Sequence, residues 1–226
     1  MRHALAGIAV FLFSAVASAA GLADITNKDA VTGLKQALTD GSAAAIAKLG
    51  VENGFFANNK VKIPLPESLQ KVEGLMRAIG MQRQADELVL AMNRAAETAV
   101  TEAKPLLVNA VKKMTVQDAK GILTGGDTAA TDYFRRTTSE PLGKKFLPIV
   151  KNATAKVGLA EKYNAIAGKG AQLGLVDSKQ ATIEQYVTQK ALDGLYLIIA
   201  EEEKAIRRDP VGAASSIVQK VFGALK

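Results

Sequence analysis

Apolar residues recur along this chain at spacings of three and four, the period of a helix surface, far more often than at the spacing of two that marks a strand. Ala30, Val31, Leu34, Ala37 and Leu38 begin the pattern behind Thr26 and Asn27, two residues suited to capping a helix start. Asp40-Gly41-Ser42 interrupts it, and residues 43–49 resume it. Residues 50–59 are rich in Asn and Gly and read as a loop carrying an exposed pair, Phe55 and Phe56. Val61, Ile63 and Leu65 then alternate with Lys60, Lys62 and Pro64, which predicts a short extended run.

Pro66 stands where proline is favoured, in a first helical turn. Leu69, Val72, Met76 and Ile79 make one apolar stripe that Gly80 ends. A long helix is expected over 82–104, with Leu88, Met92, Ala95 and Ala99 inward, and Pro105 restarts the chain for Leu107, Val108, Val111 and Met114. Thr115 and Asp118 have the spacing of a capping box, and Gly125-Gly126 closes the short helix behind them. Asp127 and Ser139 read as the next two caps, followed by Ala130, Tyr133 and Phe134, and by Leu142, Phe146, Ile149, Val150 and Ala153. Residues 159–167 form another short helix, and the glycine-rich 168–174 reads as a flexible link. Thr182 and Gln185 open a strong helix that Asp209-Pro210 stops, and an amphipathic helix that docks on the core follows over 211–225. The pattern predicts an all-α fold of about eight to ten helices in a single domain, residues 20–226.

Residues 1–19 stand outside this pattern. Arg2, an apolar run over 4–16 and Ala17-Ser18-Ala19 have the three-part layout of a secretory signal peptide, cleaved after Ala19 or Ala20. The apolar run is too short for a spanning helix, which needs about 20 residues, and no second such stretch follows. With no cysteine in the chain, a lipid-modified cysteine after the cut is excluded. The expected location is the periplasm. Cleavage removes the only histidine and lowers the formal charge of +7 by one. What is left has no histidine, cysteine or tryptophan, so it has no disulfide, no imidazole base and no ordinary zinc or copper ligands. Only oxygen-ligated ions such as calcium or magnesium stay open. No cofactor and no catalytic or metal-ligating set is predicted.

Gly33-Leu34-Lys35-Gln36-Ala37-Leu38, Lys62-Ile63-Pro64-Leu65-Pro66, Tyr133-Phe134-Arg135-Arg136-Thr137, Ala191-Leu192-Asp193-Gly194-Leu195 and Glu201-Glu202-Glu203-Lys204-Ala205-Ile206-Arg207 occur in this order. Together they resemble the bacterial family known as domain of unknown function 4197, over nearly the whole mature chain; Gln36 departs from the Glu expected there. The resemblance implies an exported helical protein of Gram-negative bacteria, with no activity and no functional residues to carry over.

Four local features bear on chemistry. Ser68-Leu69-Gln70-Lys71 matches a serine–lysine nucleophile motif, but no Lys-Thr-Gly, Ser-Asp-Asn or sheet accompanies it. The glycines of 168–174 follow a helix, whereas a phosphate loop follows a strand. Glu201, Glu202 and Glu203 fan out around a helix, and the expected reading is a solvated helix end with Glu203–Arg207 and Glu201–Lys204 pairs. Arg94 and Glu97, with Asn93, interrupt an alanine-rich face and are the candidate polar site.

Charge is more informative. Residues 131–170 carry eight basic side chains against Asp132, Glu140 and Glu161. The candidate contacts for an anionic partner are Arg135, Arg136, Lys144, Lys145 and Lys151. In the envelope such a partner is an anionic lipid, lipopolysaccharide or an acidic protein; nucleic acid is not expected. The expected function is a non-enzymatic periplasmic helical protein that binds or scaffolds an anionic or amphipathic partner. A carboxylate- or Ser/Lys-based hydrolase (Glu97, Glu201, Glu202, Ser68, Lys71) and a purely structural envelope component are the alternatives.

Overall fold

The computed structural model describes residues 27–71, 73–172, 181–210 and 215–223. The leader expected over 1–19 therefore lies outside the described residues. Ten helices occur among those described: α1 (Asn27–Leu49), α2 (Glu67–Gln70), α3 (Glu73–Ala78), α4 (Gln82–Thr101), α5 (Lys104–Lys113), α6 (Val116–Leu123), α7 (Ala129–Thr154), α8 (Gly158–Gln172), α9 (Ile183–Arg208) and α10 (Ser216–Gly223). There is no strand among them. The fold is all-α, and no described helix is long and apolar enough to cross a membrane.

The two longest helices, α7 and α9, pack against each other and against α4, while α1 lies on α9 and carries α10. Tyr196 meets Thr138, and Glu184 meets Thr154, so α7 and α9 run antiparallel. On α7 the buried positions recur every four residues: Ala130, Phe134, Thr138, Leu142, Phe146, Val150 and Thr154. That unbroken stripe explains why the chain ignores the break expected at Ser139. Pro141 and Pro148 lie inside α7 on its exposed side. Each removes one helical hydrogen bond at a cost of about 3 kcal/mol. Burial of Phe134, Leu142, Phe146 and Val150, at about 1.5–3 kcal/mol each, offsets that loss. Ser139 is mid-helix, its hydroxyl donating to the Arg135 carbonyl at 2.6 Å; the cap in front of α7 is Thr128.

The interruption expected at Asp40-Gly41-Ser42 is also absent. Gly41 and Ser42 are buried within α1, where a Cβ on Gly41 would meet Glu202 and Ile206 of α9 in ordinary contact. The Ser42 hydroxyl returns to the Thr39 carbonyl at 3.0 Å, and Gln36 holds Asp40 at 2.8 Å. Near the other end, α8 continues through Gly168 and Gly170 to Gln172, so the first part of the expected link is helix. Glycine lowers helix propensity by about 1 kcal/mol without forbidding the helix. Leu173 and Gly174 lie outside the described residues.

Other readings match. Leu88, Met92, Ala95 and Ala99 are fully buried on α4. Thr115 and Asp118 form a complete capping box on α6, and Thr182 accepts from the Gln185 N–H at the start of α9. Val218, Val221 and Phe222 bury the apolar face of α10 against the core. The stripe at Leu69, Val72, Met76 and Ile79 does not hold together as one helix. Leu69 lies in α2 and Met76 in α3, while Ile79 follows α3 and is 62% exposed; Val72 and the Met76 side chain lie outside those described.

Candidate functional site

The residue run 50–65 has no helix or strand of its own; it buries Phe55, Val61, Ile63 and Leu65, and three polar residues of α4, Asn93, Arg94 and Glu97, hold its backbone and side chains. Asn93 is fully buried and pairs with Ile63 as a neighbouring strand would: its Oδ1 accepts the Ile63 N–H at 2.9 Å and its Nδ2 donates to the Ile63 carbonyl at 2.8 Å. Val61, Ile63 and Leu65 are thereby turned inward and Lys62 and Pro64 outward, as the alternation predicts. Glu97, also buried, accepts the N–H groups of Phe55 and Phe56 at 3.0 and 3.1 Å. Arg94 pairs with Glu97 at 2.6 Å and reaches Glu52 and Asn53. Phe55 is therefore not the exposed residue expected; it is fully buried, its ring seated where Gly194 of α9 has no side chain. Every oxygen contact of Glu97 goes to the loop or to Arg94, so the candidate polar site is a clamp on this loop.

A different arrangement lies between α7 and α9. Arg135, Ser139, Gly143 and Leu147 are four residues apart and share one face of α7, flanked by Glu140 and Lys144. Gln185, Thr188, Gln189, Leu192 and Tyr196 face them from α9. The open cleft between them measures about 640 Å³, within the roughly 300–1,000 Å³ typical of small-molecule sites. Gly143 forms its floor, with Leu192 the nearest atom to a would-be Cβ at 3.9 Å. At one end the Arg135 guanidinium lies over the Tyr196 ring, 4.8 Å from its centre. The Tyr196 phenol is 2.8 Å from the Thr138 hydroxyl and 3.2 Å from that of Ser139. Burial pushes this phenol above its ordinary range, although those hydrogen bonds and the Arg135 charge act the other way. It is a neutral, fixed wall. At the other end Leu147 is 39% exposed, and the Thr188 hydroxyl is buried without a hydrogen-bond partner.

The cations singled out from charge divide accordingly. Arg135 and Lys144 line the cleft. Asp193 stands 3.6 Å from Arg135, beyond good hydrogen-bond range, and Glu140 pairs with Lys144 along the same helix at 2.5 Å. Arg136, turned about 100° around α7, pairs with Asp118 of α6 at 3.3 Å and covers Tyr133. Lys145 reaches Glu102 at the end of α4 at 3.2 Å. Lys151 is exposed, with no ion pair among the described residues. The five therefore do not form one patch.

A model of a family described as protein of unknown function (DUF4197) matches residues 24–223. The chain belongs to that family. No curated protein and no solved structure matches it.

In this DUF4197 chain the Glu201-Glu202-Glu203 run is not a solvated helix end. Glu203 is buried and its carboxylate accepts the N–H groups of Ala130 and Thr131 and the Thr131 hydroxyl, at 3.0, 2.9 and 2.8 Å, across the start of α7. Arg207, itself largely buried, donates to Glu203 at 3.1 and 2.9 Å and to the Ile122 carbonyl at 2.9 Å. Glu201 pairs with Lys60 at 2.6 Å and Glu202 with Lys48, rather than with Lys204. Ser68 bonds Tyr163, and Lys71 pairs with Glu67 at 3.0 Å. The residues of the hydrolase alternative thus have separate structural partners. Among the described residues no group of three or more acidic side chains is gathered as for a metal ion.

The cleft was missed in the sequence for an identifiable reason. Its α7 stripe of Arg135, Ser139, Gly143 and Leu147 is visible at i, i+4, i+8 and i+12 only if the helix is read through Ser139. Taking Ser139 as a cap cuts the stripe in two.

Proposed function

We propose that this chain is an exported, non-enzymatic helical protein of the periplasm that binds an anionic amphipathic partner of the envelope, and that the partner's anionic group and apolar chain sit in the α7–α9 cleft. The observation that carries this reading is the coincidence, in one cleft, of two cations with aliphatic walls and a floor lowered by Gly143. Arg135 presents a planar donor set suited to carboxylate or phosphate oxygens, and Leu147 and Leu192 offer apolar surface beyond it. The leader over 1–19 supports export. The dispersal of Ser68, Lys71, Glu97, Glu201 and Glu202 supports a binding role over hydrolysis.

Native mass spectrometry of the protein recovered from the cell envelope tests this reading. An anionic lipid or single-chain amphiphile retained by the wild type and lost from Gly143→Leu, whose side chain fills the cleft, is the expected result. Protein that carries no such molecule, and takes none up from vesicles rich in anionic lipid, contradicts it.

A further inference from the structure

The charges of the α7–α9 cleft come in both signs. Arg135 and Lys144 line it together with Glu140, which pairs with Lys144 one turn on along the same helix. Asp193 completes the set from α9. Its Oδ1 stands 3.6 Å from the Arg135 guanidinium and accepts the Nε2–H of Gln189, a cleft residue, at 3.0 Å. Two cations therefore face two carboxylates. The second Asp193 oxygen has no partner among the described residues, and the side chain is 46% exposed. Gln189 thus fixes a carboxylate on the rim, beside the place where an anion lies on Arg135. A bare anion there meets a like charge close by and is repelled by it.

We infer that the head of the bound amphiphile is zwitterionic, of the phosphoethanolamine class, with its anionic group on Arg135 and its primary ammonium on the second oxygen of Asp193. The inference rests on the binding function proposed for the cleft and names the class of head group that the cleft takes. Arg135 and Asp193 do not satisfy each other, since 3.6 Å is beyond hydrogen-bond range. The guanidinium lies over the Tyr196 ring, 4.8 Å from its centre, and keeps donors for a ligand. A primary ammonium has three donors and no acceptor, the complement of a carboxylate, which only accepts. Bonds between two such charged partners are the stronger kind. A quaternary ammonium brings the charge without a donor, and a head with no ammonium leaves the repulsion in place. Leu147 and Leu192 stay available to the acyl chain.

Titration calorimetry with three amphiphiles of one tail tests this: dodecylphosphoethanolamine, methyl dodecyl phosphate and dodecylphosphocholine, each below its micelle-forming concentration. The proteins are the chain lacking residues 1–19 and its Asp193→Asn variant, an exposed change of nearly equal shape. The unsubstituted protein is expected to bind the phosphoethanolamine head about threefold or more tighter than either of the others, the scale of one partly exposed ion pair. Asp193→Asn is expected to lose that preference and to bind the methyl ester as tightly as before, or more tightly because the repulsion is gone. Equal binding of the three heads by the unsubstituted protein, or a preference that survives in Asp193→Asn, overturns the inference and leaves the proposed anionic-amphiphile function standing. Failure to bind any of the three removes the function along with it.

Discussion

Replacing Glu203 by alanine takes away a carboxylate that joins the C-terminal part of α9 to the first turn of α7. The loss can be worked from its partners. Two backbone N–H groups, those of Ala130 and Thr131, lose their acceptor in a buried setting, and the Thr131 hydroxyl loses its partner as well. The Arg207 side chain, 14% exposed, keeps the Ile122 carbonyl but loses its counter-charge. Removing one partner of a buried pair costs about 3–5 kcal/mol, because the other charge stays uncompensated. For a chain of this size each kcal/mol corresponds to about 2–4 °C in melting temperature, so Glu203→Ala should melt roughly 6–20 °C lower. Glu203→Gln, which keeps one acceptor oxygen, should fall between it and the wild type. Thermal unfolding followed by far-ultraviolet circular dichroism measures this, with Lys144→Ala as the control. Lys144 and Glu140 are an exposed pair whose loss should cost at most about 1 kcal/mol. A Glu203→Ala protein that unfolds within a degree or two of the control would refute the reasoning.

Other consequences follow from the same contacts. Gly194→Ala places a Cβ 2.7 Å from the Phe55 ring and 3.3 Å from Val61; chemical denaturation should show a loss of about 1–3 kcal/mol, and an unchanged midpoint would contradict the packing described. Glu97→Ala releases the Phe55 and Phe56 N–H groups and uncouples Arg94, so limited proteolysis should cut within 51–59 many times faster than in the wild type, while cleavage elsewhere stays slow. Burial, with the neighbouring Tyr163, pushes the Tyr186 phenol up to about 12, and burial raises Tyr133, Tyr163 and Tyr196 as well. Since an unfolded tyrosine ionises near pH 10, the folded state holds these protons more tightly. The associated stability is complete below pH 10 and is lost as pH rises towards 12. In this tryptophan-free chain of four tyrosines, ultraviolet titration should show tyrosinate forming above the ordinary range, and a native-state midpoint at 10 would count against it.

Where local pattern and tertiary packing agree, the sequence is sufficient. The inward faces of α4 and α9, the Thr115–Asp118 box and the docking of α10 all follow from spacing and composition. The failures have a common cause: a local signal that a long-range contact overrides. Asp40-Gly41-Ser42 and Ser139 look like breaks because their own propensities are those of caps and turns, yet the continuous buried stripes of α1 and α7 hold the helix through them. Phe55 looks exposed because its neighbours are polar, and only the absent side chain of Gly194, far along the chain, makes room for it. Glu203 looks like one of three surface acids, but its partners lie some seventy residues away at Ala130 and Thr131. The charge excess selected Arg135 and Lys144, which line the α7–α9 cleft. It also selected Arg136, Lys145 and Lys151, because a count of charges along the chain cannot assign them to faces.

The central claim is that the α7–α9 cleft takes an anionic chain. It is tested most directly by titrating the protein lacking residues 1–19 with dodecanoate and with dodecyltrimethylammonium, and repeating both with Gly143→Leu and Arg135→Gln. Binding of the anion and not the cation is expected, with no binding by Gly143→Leu and about tenfold or greater weakening in Arg135→Gln, the scale of one charged hydrogen bond. Equal affinity for the two chains, or binding of dodecanoate that both substitutions leave unchanged, would contradict it.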